Sequence, residues 1–116
     1  MGMADEKEFT AYVVDLMQSI GTVSARRMFG GYGIFLDGLM FALIADGSLY
    51  MKADSESRDR FLSSGLEAFT YSKKGKQISL SYYQAPLEAL EDGEQMKEWA
   101  NLAFGCALKA AAGKRK

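Results

Sequence analysis

Few residues in this chain are equipped for chemistry. There is no histidine, which removes the commonest general base and the commonest nitrogen ligand for a metal. Cys106 is the only thiol, so an intramolecular disulfide is excluded. It falls at helical spacing on an apolar stripe with Trp99 and Ala103. A nucleophilic thiolate needs an exposed, electropositive setting, so Cys106 reads as a buried, inert thiol. Carboxylates are plentiful but gather at helix starts and turns, where capping and solvation account for them. A glycosidase-type carboxylate pair is not excluded by sequence alone. No metal-ligand spacing, Walker motif or nucleophile elbow is present. The expectation is a non-enzymatic protein with no cofactor and no metal.

The most informative stretch is Arg26-Arg27-Met28-Phe29-Gly30-Gly31-Tyr32-Gly33-Ile34-Phe35. Its glycines invite a phosphate-loop reading. A dinucleotide fingerprint needs a strand, a glycine loop and then a helix N-terminus, whereas a strand pattern follows here. Gly30, Gly31 and Gly33 are therefore read as a structural hinge, a bulge or bend between two strands. On an extended strand Arg26 and Arg27 point to opposite faces, so at most one need be structural. That one would pair with an acid such as Glu67 or Asp59, or lie over an aromatic ring.

Tyr32, Tyr50, Tyr71, Tyr82 and Tyr83 exceed what a core needs, because their hydroxyls want water or partners. Tyrosine and arginine together typify interaction hot spots. The expected partner-binding surface centres on Arg26, Arg27, Phe29 and Tyr32, with Tyr71, Lys73 and Tyr83 contributing. Base stacking over a basic groove would look similar, and Lys73, Lys74 and Lys76 would join Arg26 and Arg27 on phosphates. Net charge argues against that alternative. It is −1, with a pI of about 5.4, and a basic bias appears only in residues 24–83, with eight Lys and Arg against six acids. A protein partner is favoured over nucleic acid. A weaker alternative is a small-ligand or enzyme pocket near Gly30-Gly31.

The elements that must position these residues follow from periodicity. At 116 residues and 48% apolar, the chain fits one domain with one core. Phe9, Val13, Leu16, Met17 and Ile20 predict a helix over 5–20 that Gly21 closes in the left-handed conformation. Strands are predicted at Val23–Phe29, Tyr32–Leu36, Leu39–Ile44 and Ser48–Lys52. Asp37-Gly38 and Asp46-Gly47 are two-residue hairpin turns. Leu39–Ile44 is apolar on both faces, which suits a central strand. A short helix capped by Asp54 or Ser55 buries Phe61, Leu62 and Leu66, and Gly65 ends it. A hairpin pairs Phe69–Ser72 with Gln77–Tyr83 across Lys73-Lys74-Gly75-Lys76. Pro86 opens a short helix to Glu91. Asp92 and Gln95 have capping-box spacing before a last helix over 93–111, whose stripe is Met96, Trp99, Ala103, Cys106 and Ala110. Met1-Gly2 is set aside, and 112–116 is expected to be a disordered basic tail. The fold class is α+β: an antiparallel sheet made of a three- to four-stranded meander plus a hairpin, flanked by N- and C-terminal helices. No apolar run reaches the roughly 18 residues of a membrane span, and no signal-peptide layout opens the chain. These patterns point to the cytoplasm. A free strand edge leaves a homodimer open.

The order of these motifs resembles the N-terminal domain of the TfoX/Sxy family. The resemblance rests on Arg26–Phe35, then Asp37-Gly38, Met40–Asp46 and Leu49-Tyr50-Met51-Lys52. Phe69-Thr70-Tyr71, Leu80-Ser81-Tyr82-Tyr83, Ala85–Asp92 and Trp99-Ala100 extend it along nearly the whole chain. It implies an α+β fold and a bacterial regulator of competence-type genes without enzymatic activity. It further implies transcriptional co-activation through protein contacts, with the transcription machinery or a cyclic-AMP receptor protein-like factor as the partner. Longer members carry a second, helical C-terminal domain that this sequence does not reach at Lys116, so activity dependent on that domain is not carried over.

Overall fold

The computed structural model describes residues 3–28 and 30–114. Met1-Gly2, Phe29 and the end of the expected basic tail, Arg115-Lys116, lie outside the described residues. Helix α1 spans Met3–Leu16 and tightens into a 3₁₀ turn at Met17–Ile20. Val13 and Met17 are fully buried, with Phe9, Leu16 and Ile20 packed beside them. Gly21 follows at φ 146° and ψ −170°, outside the left-handed helical region the sequence suggested.

Four strands then form a meander: β1 Ser24–Met28, β2 Gly31–Leu36, β3 Leu39–Ala45 and β4 Ser48–Lys52. Both Asp-Gly pairs sit at positive φ, Asp37 and Gly38 at 52° and 78°, Asp46 and Gly47 at 51° and 75°. That is the geometry of a tight turn whose twist matches the strands it joins. A third turn of this kind, Lys74-Gly75 at 52° and 80°, joins β5 Ala68–Lys73 to β6 Lys76–Gln84. The sequence suggested a four-residue loop there. Lysine carries no preference for positive φ, so the two-residue turn was hidden.

The six strands make one antiparallel sheet in the order β1-β2-β3-β4-β6-β5. β3 is central, as its two apolar faces required. β6 meets β4 only through Tyr82, Tyr83 and Gln84. Its outer half, with β5, therefore leaves the sheet as a two-stranded arm, exposed at Lys73–Gln77.

Helices α2 Arg58–Ser63, α3 Leu87–Glu91 and α4 Gly93–Lys114 complete the chain. Helix α4 lies against β3 and β4, where Phe104 meets Phe41 edge-on at 5.8 Å. The main core lies between sheet and helices and contains Ile34, Phe41, Ile44, Leu49, Met51, Phe61, Met96 and Trp99. The stripe of α4 differs from expectation at its end. Ala110 is exposed, while Ala100 and Ala107 are buried with Ala103 and Cys106. The helix also continues through Gly113 to Lys114, beyond the predicted end at 111. In α2, Leu62 is 51% exposed rather than buried; six residues offer less than two turns, and Phe61 takes the inward position. Pro86 sits at the cap of α3, at φ −68° and ψ 147°, one residue before the helix.

Candidate functional site

The helices cover one face of the sheet. On the other face the strand register brings together side chains from every part of the chain. Arg26 pairs with Gly33, Phe35 with Met40 and Leu43 with Tyr50. The Arg26 guanidinium lies 4.4 Å from the centre of the Phe35 ring, a cation–π contact. Tyr50, Phe69 and Tyr71 form an aromatic row, with centroid separations of 5.1 and 6.1 Å.

A cavity of about 400 Å³ opens on this side, lined by Met28, Met40, Leu43, Phe69, Tyr71 and Leu80, with Lys73 at the arm and Gly31 and Tyr32 at the β2 end. β1 and β5 are opposite edges of the sheet, about 24 Å apart if six strands lay flat. One cavity reaches residues of both only because the sheet curls and the arm folds over its face. Two-stranded ribbons twist more strongly than wide sheets, so an arm paired with β4 only at its base is free to do this.

Two of the three glycines act differently from a hinge. Gly30, at φ 76°, lies between the end of β1 at Met28 and the start of β2 at Gly31. Gly31 and Gly33 lie inside β2, where an added Cβ would meet backbone at Gly31 and neighbouring side chains at Gly33. A Cβ on Gly31 would strike the carbonyl oxygen of Ile44. One on Gly33 would strike the Met28 sulfur and stand 2.9 Å from the Phe35 ring.

The expected binding residues divide between the two faces. Tyr71 and Lys73 line the cavity, and Arg26 stands on the same face over Phe35. Arg27 is exposed and pairs in register with Tyr32. Neither arginine forms an ion pair with a described carboxylate, Glu67 and Asp59 included. Tyr32 borders the cavity but is half-buried against the core, so its replacement costs stability as well as surface. Tyr83 stacks on Phe61 at 5.6 Å on the helix side, away from Tyr71; the bulge between Ala68 and Thr70 lies between them. Phe29 lies outside the described residues. Met28, Met40, Leu43 and Leu80 carry no chemical signal in sequence. They read as ordinary core, and only the curl of the sheet puts them in a cavity wall.

A second cluster lies at the start of α2. Asp54 Oδ1 accepts from the backbone N–H of Glu56 and Ser57 at 3.0 and 2.8 Å, and Ser57 Oγ accepts from the N–H of Asp54 at 3.0 Å. This reciprocal box closes the turn 54–57 that leads into α2, whereas the residue at the helix N-cap is Ser57 rather than the expected Asp54 or Ser55. Lys109 Nζ adds an ion pair at 2.7 Å to Asp54 Oδ2, a partner that the sequence did not indicate. The Lys109 ammonium, with help from the Ser57 N–H, holds the Asp54 carboxyl well below the usual carboxylate range. Burial pushes the Cys106 thiol up, against a smaller opposing effect of Ser57, whose Oγ lies 3.4 Å from its sulfur. Cys106 is therefore a buried thiol with little thiolate character. Because the Asp54 value is depressed on folding, its contribution is present above the unfolded carboxylate value of about 3.9 and is lost as pH falls through the folded value. Thermal melts should therefore show Asp54→Asn less stable than wild type at neutral pH. The two curves should converge as the pH drops below about 4. A gap that stays constant into acid would show that the carboxylate charge contributes nothing.

Among the described residues no group of three or more His, Cys, Asp or Glu is placed to hold a metal, and no helix is long and apolar enough to cross a membrane. The family model described as the TfoX N-terminal domain matches residues 15–107. The chain belongs to the TfoX N-terminal domain family. The matched segment contains β1 to β6 and the curled face described above. Among curated relatives, the chain is similar to Protein Sxy of Escherichia coli, 26% identical over 95 residues, covering 82% of this chain and 46% of that protein. It is 35% identical over 69 residues to DNA transformation protein TfoX1 of Aliivibrio fischeri, covering 60% of this chain and 33% of the relative. DNA transformation protein TfoX of Haemophilus influenzae is 34% identical over 71 residues, with the same coverage. The chain thus spans less than half the length of the curated relatives it matches. The α+β fold and the membership expected from the Arg26–Phe35 stretch agree with these findings.

Proposed function

We propose that this TfoX-type domain is a non-enzymatic regulator of competence, acting on transcription through protein contacts in the cytoplasm. The observation that carries the reading is the pair Arg26 and Arg27 on edge strand β1. Both are exposed, and neither is engaged by a described carboxylate. Desolvated arginines beside aromatic residues are the usual anchors of a protein interface. The names of the relatives, DNA transformation proteins among them, supply the process. A factor resembling a cyclic-AMP receptor protein is the partner class that fits.

The test is an Arg26→Ala/Arg27→Ala double variant supplied to a transformable bacterium deleted for its own family member. Competence-gene reporter expression should fall to the deletion level, while the melting temperature of the purified domain stays close to wild type. The only described contact removed is the Phe35 stack, worth about 0.5–1 kcal/mol at an exposed site. Full reporter activity from the double variant would overturn the reading. Low-salt mixing of the purified domain with short single- and double-stranded DNA separates the rival. A shift that weakens steeply with added salt would replace protein contact with direct phosphate binding by Arg26, Arg27, Lys73, Lys74 and Lys76.

A further inference from the structure

The cavity beneath the β5–β6 arm has properties that a flat docking surface lacks. Its volume of about 400 Å³ falls in the range of small-molecule sites, roughly 300–1,000 Å³. Its wall is made by apolar and aromatic side chains from both halves of the sheet. Among the described residues, Lys73 is the one charged residue in the lining, and no carboxylate lines the cavity with it. Lys73 forms no ion pair with a described acid. Lys74 and Lys76 follow at the arm tip, and Arg26 lies over Phe35 on the same face. Several apolar groups with one convergent cation describe a site for a molecule with an apolar body and a single acidic head.

The arm also supplies a way in. It is held to the rest of the sheet at its base, by three register pairs, Tyr50 with Gln84, Met51 with Tyr83 and Lys52 with Tyr82, and by the Ala53 N–H donated to Ser81 O at 2.8 Å. Tyr71 and Leu80, the exposed apolar residues that it adds to the wall, are 38% and 37% exposed. Ordering such side chains around a ligand buries apolar surface that is otherwise in water, which favours binding.

We propose that the cavity between the arm and strands β1–β3 binds a small amphipathic carboxylate, its apolar part against Met28, Met40, Leu43 and Leu80 and its acid on Lys73. This goes beyond the regulatory reading and does not depend on it. Decanoate, 1-decanol and decyltrimethylammonium are suitable probes, each titrated into the ¹⁵N-labelled domain below its aggregation threshold and followed by amide shifts. Decanoate should give saturable shifts concentrated at Met28, Gly31, Leu43, Tyr71 and Leu80. Lys73→Met should weaken decanoate about three- to fivefold, the scale of a partly exposed ion pair, and leave decanol unchanged. Leu80→Glu, at a position exposed enough to keep the fold, should lower decanoate affinity more than Lys73→Met does, because an acid then faces the acid. Saturable binding of decyltrimethylammonium as tight as decanoate overturns the proposal. So does an absence of saturable decanoate shifts, or shifts that map to the helix side.

Discussion

Gly31→Ala should destabilise the domain by about 3 kcal/mol, at the upper end of the usual cost of overpacking. For a chain of this size that is a loss of roughly 10–20 °C in melting temperature. The reason lies in the β2–β3 ladder. A methyl group on Gly31 would occupy the place of the Ile44 carbonyl oxygen, with the carbonyl carbon at 3.2 Å and the Ala45 Cα at 3.4 Å. All three obstacles are backbone, so no side-chain rotation relieves them. Either β2 moves away from β3 or the pairing of Tyr32 with Ile44 is given up. Gly30 is the matched control. It is next in sequence and has positive φ, but nothing lies within 4 Å of its would-be Cβ. Gly30→Ala should therefore cost only the left-handed penalty, about 1–2 kcal/mol. Melting curves of the two variants decide the matter. Equal losses would mean that the glycine pair is a conformational hinge and that the close approach at Ile44 is unimportant.

Phe61→Ala should cost about 3–5 kcal/mol, the range for a buried aromatic, against a total stability of about 5–15 kcal/mol for a small domain. Phe61 is fully buried. It stacks on Tyr83 at 5.6 Å and tilts against Trp99 at 5.1 Å, joining β6 to α4. Helix α2 has six residues, too few to hold helical structure without tertiary support. Removing the ring therefore leaves a cavity and also undocks α2, which frees Arg60 from its place 4.5 Å over the Trp99 ring. Leu62→Ala, one position on and 51% exposed, should change stability by no more than about 0.5 kcal/mol. Urea midpoints at constant m-value test the contrast. If Phe61→Ala lost no more than Leu62→Ala, α2 would not be anchored through this ring.

Much of the fold was legible because its signals are local. Asp-Gly between alternating strands specifies a tight hairpin through the φ angles it tolerates. The apolar run Leu39–Ile44 suits a central strand, and β3 is central. The spacing of Val13, Met17, Met96, Trp99 and Ala103 placed these residues in the core. The misreadings fall where a local rule met a competing tertiary demand. Leu62 lost its inward place to Phe61 in a helix too short to bury both. Ala110 is exposed, about one turn beyond the buried Cys106 and Ala107. Tyr83 went to the Phe61 stack rather than to the open face.

The candidate site was legible only in fragments. Arg26, Tyr71 and Lys73 stood out by residue type, and the structure puts them on one face. The cavity itself left no trace, since Met28, Met40, Leu43 and Leu80 are apolar residues in strands like any others. For Gly31 and Gly33 the sequence could say that a side chain was missing but not what took its place. By itself, then, the sequence determined the main elements, the two Asp-Gly turns, the α+β class and the family, because periodicity, turn chemistry and an ordered set of motifs act over a few residues. The tertiary structure alone decided which edge of the sheet β6 joined, how far the sheet curled and what the curl enclosed. Those outcomes depend on the pairing of β4 with β6 and on the curl that brings β1 and the arm, segments about forty residues apart in the chain, to one cavity, and no local pattern specifies which surfaces a twisted sheet will bring face to face.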